Sequence, residues 1–186
     1  MQEYRPSGAM TKFQDLLAGS DRRSIGRANE AVTAVERDPA RFEKLWDCLK
    51  NQDPIVRMRA ADALEKITRK DAMSLQPQKS ELCDDALDDG TAEVRWHLLP
   101  MASRLTLSAA EASRLMARLS ERLQRDRSRI VRVVALQSAF ELAERHPALQ
   151  ADIRQMLDCA SVSESASLRA RARLILKRLD GAAKRR

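Results

Sequence analysis

Five times along the 186-residue chain an acidic or small polar residue is followed six positions later by an arginine that opens an apolar run. The pairs are Asp21/Arg27, Asn51/Arg57, Asp89/Arg95, Asp126/Arg132 and Ser163/Arg169. Successive arginines stand 30, 38, 37 and 37 residues apart. A period of that length belongs to a supersecondary unit too small to bury its own apolar face. It predicts layers stacked one on the next rather than a single closed core.

Alignment on the arginines exposes the unit. Position −1 holds Gly26, Val56, Val94, Val131 and Leu168, and position +3 holds Ala60, Leu98, Ala135 and Ala172. Position +7 holds Leu64, Ala102, Ala139 and Leu176, and +10 holds Ile67, Leu105, Leu142 and Leu179. Steps of four, four and three trace one face of an α-helix. Upstream, Cys48, Ala86, Leu123 and Ala160 lie nine residues before the arginine, and Leu45, Cys83, Ser120 and Leu157 twelve before it. These are i, i+3 neighbours on a preceding helix, so each unit is a helical hairpin. The turns between carry N-cap chemistry (Asn51–Pro54, Asp88–Gly90, Arg125–Arg127), and Pro54 suits a first helical turn, where no hydrogen bond is lost.

The pattern predicts helices over 9–18, 23–37, 40–50, 54–69, 77–88, 92–105, 109–124, 128–145, 148–159 and 165–179, with Pro100 kinking the sixth or shifting its register. Residues 1–8 read as a flexible start, 9–180 as one repeat domain and 181–186 as a frayed basic tail. Composition agrees with an all-α chain: 44% hydrophobic, 33% charged, 3% aromatic and 5 glycines. Three widely separated cysteines argue for a reducing compartment and against a disulfide framework. The opening residues hold no signal-like apolar stretch, and no run approaches the ~20 residues needed to span a bilayer, so the expected location is cytoplasmic.

The segment from Asp53 through Val56-Arg57 and Ala60-Ala61 to Leu64 resembles the HEAT-repeat consensus, in the form found among bacterial proteins with phycobilin-lyase-like HEAT repeats. The resemblance covers roughly 9–180. It is strong in the second and fourth units, and weaker at Gly26 and at Ser163, where the pattern expects an apolar residue and an acid. It implies a right-handed α-α superhelix of about five hairpins. It also implies that Asp21, Arg27, Asn51, Arg57, Asp89, Arg95, Asp126, Arg132 and Arg169 form a structural ladder between layers rather than a phosphate-binding row. Bidentate arginine–carboxylate pairs suit that task.

No catalytic constellation emerges. The two histidines, His97 and His146, have no cysteine beside them in sequence, there is no CxxC, and 5 glycines leave no phosphate cradle. Asp84-Asp85 and Asp88-Asp89 read as solvated charge before Gly90 rather than a cation site. No metal or cofactor is expected.

In a hairpin solenoid the second helices line the concave, ligand-facing side. There the first and second positions after the arginine hold Met58 and Arg59, Trp96 and His97, Val133 and Val134, Ala170 and Arg171. Trp96 is the most anchor-like of them. The formal charge of +7 is weighted toward the C-terminal half, where Arg129, Arg171, Arg173 and Lys177 outline a positive edge. A polar cap on the final repeat would carry the same charge. The favoured function is a non-catalytic scaffold or adaptor gripping a protein partner on the concave face. The alternative is nucleic-acid binding along the basic edge. The resemblance admits two exceptions, a HEAT-like DNA glycosylase and an accessory subunit of a chromophore lyase. The first relies on aromatics plus a carboxylate in the cleft, and the second helices offer only Trp96 and Asp62.

Overall fold

A computed structural model describes residues 12–21, 24–84 and 90–183. Among them all regular structure is helical. The elements are α1 (Phe13–Leu17), α2 (Ala28–Arg37), α3 (Phe42–Trp46), α4 (Pro54–Lys70), α5 (Lys79–Asp84), α6 (Ala92–Arg104), α7 (Ala109–Arg125), α8 (Arg129–Arg145), α9 (Gln150–Ser161) and α10 (Ala166–Ala183). Short 3-10 turns precede and follow α3 and precede α5 and α9. No helix among the described residues is long and apolar enough to cross a membrane.

The repeats gather into two compact units, Met1–Ile67 and Thr68–Arg186, with the boundary inside α4. Layered repeats touch only their neighbours, so no common core ties all the layers together.

The first unit gathers the large side chains. Phe42 and Trp46 stack with ring centroids 6.4 Å apart, and Trp46 is 1% exposed. Helix α2 starts at Ala28 rather than at 23 because Gly26, at φ +52°, turns the chain sharply just before it. The stretch expected to be one helix over 40–50 is a five-residue α-helix between two 3-10 turns. Helix α4 begins at Pro54, and the Asp53 carboxylate caps it by accepting the N–H of Ile55 at 2.8 Å.

The second unit is the regular one. Helix α7 opens with a capping box: Ser108 Oγ accepts the N–H of Glu111 while the Glu111 carboxylate accepts that of Ser108 at 2.7 Å. Its buried face (Ala112, Leu115, Met116, Leu119, Leu123) lies against α8. Helix α8 is in contact with α6, α7, α9 and α10, which is why it is buried on nearly every side. Helix α6 continues through Pro100 to Arg104, and α10 extends through Gly181 to Ala183, so the expected tail is helical there.

Residues at +4 and +8 of α6 and α8 face the following layer. Ser103 of α6 reaches Glu141 of α8, and the Arg178 guanidinium of α10 lies 4.8 Å over the Phe140 ring of α8. In α6 these positions are Leu99 and Ser103, and in α8 they are Leu136 and Phe140, all at most 2% exposed. Burying such a leucine or phenylalanine contributes roughly 1.5–3 kcal/mol. In α10 the same positions are Arg173 and Lys177, both exposed. The onward face of α10 is therefore charged where its two predecessors are buried.

Candidate interaction site

The described ladder residues form a staggered pattern of bonds within turns and between layers. At each described turn the polar residue first folds its own loop. Asn51 Oδ1 accepts the N–H of Asp53 at 2.9 Å, Asp126 Oδ1 that of Ser128 at 2.8 Å, and Ser163 Oγ that of Ser165 at 3.2 Å. The arginine six residues on then closes the loop through backbone carbonyls. Arg57 Nη1 donates to Asn51 and Gln52, and Arg169 Nη1 donates to Ser163 and Glu164.

The carboxylate itself is used by the layer before. Arg95 donates from Nε and Nη2 to the two oxygens of Asp126 at 2.9 and 3.2 Å, and the Asp126 side chain is only 1% exposed. Arg132 turns back to the carbonyl of Leu123 at 2.7 Å. In the first unit Arg27 pairs with Glu30 rather than with Asp21, whose backbone carbonyl is taken by Arg59. Asp89, with Asp85 and Asp88, lies outside the described residues.

Arg59 departs furthest from expectation. It stands in the register of a surface contact, yet it is 4% exposed. Its guanidinium donates to the carbonyls of Leu17, Ala18, Asp21 and Ser24 at 2.8–3.1 Å and so ties down the α1–α2 loop. The same contact explains Gly26. A Cβ there would lie 2.6 Å from the Arg59 guanidinium carbon, and one at Gly19 would lie 2.7 Å from Arg59 Nη1. Arg59 is a structural clamp.

The remaining candidates on the second helices stay accessible. Met58 on α4 is half-buried. In the second unit Trp96 and His97 are half-buried and meet edge to face, centroids 5.9 Å apart. Arg171 is also half-buried and donates to Gln137 Oε1 at 3.3 Å, while Gln137 donates to Glu141 at 2.9 Å. These bonds show that +2, +5 and +9 share one side of the helices. That side carries His97, Pro100 and Arg104 on α6, Val134, Gln137 and Glu141 on α8, and Arg171, Leu174 and Arg178 on α10. On this side the sequence pointed to +2, beside Met58 and Trp96 at +1. Continuing the same helical steps to +5 and +9 was the signal that would have found Gln137 and Glu141.

Arg129, Arg173 and Lys177 are exposed and form no hydrogen bond or ion pair among the described residues. Cys48 and Cys83 are not poised as nucleophiles. Burial, with Asp47 nearby, pushes the Cys48 thiol up to about 11, and burial likewise raises Cys83. Among the described residues no group of three or more His, Cys, Asp or Glu is placed to hold a metal ion.

A family model described as a HEAT repeat domain matches residues 16–179. The chain belongs to the HEAT repeat family. The match is to HEAT repeats in general and does not single out the phycobilin-lyase-like subset. No curated protein and no solved structure matches the chain. Family membership makes this a repeat-scaffold type of protein, and the HEAT architecture accounts for the alternation of short turns and paired helices seen in both units.

Proposed function

We propose that the protein is a non-catalytic HEAT-repeat scaffold whose second helices receive a protein partner. The observation that carries this is the mixed chemistry of the stripe on α6, α8 and α10. It sets Val134, Pro100 and the 58%-exposed Leu174 among Gln137, Glu141 and Arg171, with Trp96 at its border. A half-buried row of apolar and hydrogen-bonding groups suits a polypeptide surface. It does not suit a phosphate track, because Glu141 stands in it and Arg171 is already hydrogen-bonded.

The alternative, nucleic acid along a basic edge, is favoured by the unpaired state of Arg129, Arg173 and Lys177. The position of Arg173 and Lys177, on the onward face of α10, gives their charge a second role in keeping that face solvated.

Two measurements separate the readings. A photo-crosslinker placed at Leu174 captures a protein in cell extract, and one at Arg114 on exposed α7 does not. Anisotropy with duplex DNA, single-stranded DNA and RNA shows no saturable binding at about 150 mM salt. Saturable nucleic-acid binding at that salt, lost on Arg129→Gln, reverses the choice.

A further inference from the structure

The Arg95–Asp126 pair has no counterpart one layer on. Asp126 presents two carboxylate oxygens to the arginine of the preceding hairpin. The residue at the equivalent place in the next turn is Ser163. Its hydroxyl folds the turn as Asp126 does, by accepting the N–H two residues ahead. It is neutral, and it lacks the second oxygen that a bidentate arginine requires. Arg132, the arginine that would meet it, uses only Nε, on the Leu123 carbonyl. Its two terminal nitrogens have no partner among the described residues.

An open groove of about 820 Å³ lies at this place, lined by Arg129 and Arg132 from the start of α8 and by Ser163 to Ala166 at the start of α10. Glu164 also lines it and leaves the balance at one positive charge; Val162, 85% exposed, supplies an apolar wall.

The geometry points to a docking site for an acidic peptide segment of a partner protein, in which an aspartate or glutamate carboxylate takes the place that Asp126 occupies one layer earlier. A singly charged, planar carboxylate matches a guanidinium whose sibling in this chain already holds one. A phosphate dianion would meet Glu164 with only two arginines to offset it. Val162 offers contact to an apolar neighbour of the acidic residue. The site rests on the scaffold reading above and places a contact on the turn edge, separate from the stripe at +2, +5 and +9.

The test uses the full chain and a short fluorescein-labelled peptide of alternating Asp and Leu, with an Asn-for-Asp peptide and a single-stranded oligonucleotide as the other arms. The Asp peptide binds saturably at low salt and the Asn peptide does not. Arg129→Gln weakens binding about tenfold, the loss expected for one charge-assisted hydrogen bond. Ser163→Asp supplies the missing carboxylate within the chain. It keeps the turn, raises the midpoint of thermal unfolding and abolishes peptide binding. Absence of Asp-peptide binding overturns the proposal, as does binding that ignores Ser163→Asp. Oligonucleotide binding that Ser163→Asp abolishes would make phosphate the ligand instead. Peptide binding indifferent to both substitutions, with crosslinking at Leu174 intact, removes this groove and leaves the scaffold standing.

Discussion

Arg59 shows how far a single side chain can leave the role its register assigns. The repeat places it beside His97 and Arg171, two half-exposed groups, yet it is buried under a loop of the first hairpin. A guanidinium satisfied by four carbonyls has nowhere to go, so Arg59→Met is expected to cost the first unit roughly 3 kcal/mol or more. Gly26→Ala forces an L residue to φ +52° against that immobile group and should cost roughly 1–3 kcal/mol. The two tryptophans divide between the units, so urea denaturation in a Trp96→Phe background reports the first through buried Trp46. Equal stability of Gly26→Ala and the parent would show that the loop is not clamped. Periodicity could place Arg59 on its helix. It could not show the loop that covers it, because the carbonyls that Arg59 meets lie outside the helical steps that the period describes.

Among the elements, hairpin turns and helix starts carry the testable content. Asp126→Ala removes both carboxylate bonds to Arg95, whose side chain is 13% exposed, and should destabilise the second unit by roughly 1–3 kcal/mol. Asp126→Asn keeps the turn and should cost less, and chemical denaturation of both variants measures the difference. At the start of α7, hydrogen bonds from Lys79 and then from Ser108 hold the Glu111 carboxyl at about 2, against an ordinary value of 4.5. A depressed acid stabilises the fold fully above its unfolded value and loses that contribution as pH falls through its folded one. Glu111→Gln should therefore flatten the fall in stability between about pH 4.5 and 2, read from thermal midpoints across that window. The number and order of hairpins were legible because the apolar steps repeat. The start of α5 two residues later than expected, after Pro77, and the broken helix around α3 follow from local turn chemistry that such steps do not encode. That Arg95 meets Asp126, 31 residues on, was also hidden, since a spacing within one turn does not say which acid of the next layer an arginine reaches.

At the scale of the whole chain, the faces that the second helices turn onward decide what can be added to them. Arg173→Leu with Lys177→Leu would give α10 the apolar face of α8. The prediction is concentration-dependent self-association, seen as a rising sedimentation coefficient, with the helical content unchanged. A monomer at every concentration would show that those charges do not guard the face. The aligned sequence contained this contrast at +4 and +8, but only the packing of α6, α8 and α10 gave it meaning. The same asymmetry makes the architecture extensible at some points and not at others. A hairpin spliced in after Arg145 would find leucine and phenylalanine waiting on α8 and could offer α9 and α10 a like surface in return. One grafted after Ala183 would meet arginine and lysine. Duplication within the array is thus an open route to a longer protein of this type, whereas a copy of α8 added at α10 would meet charge in place of an apolar face.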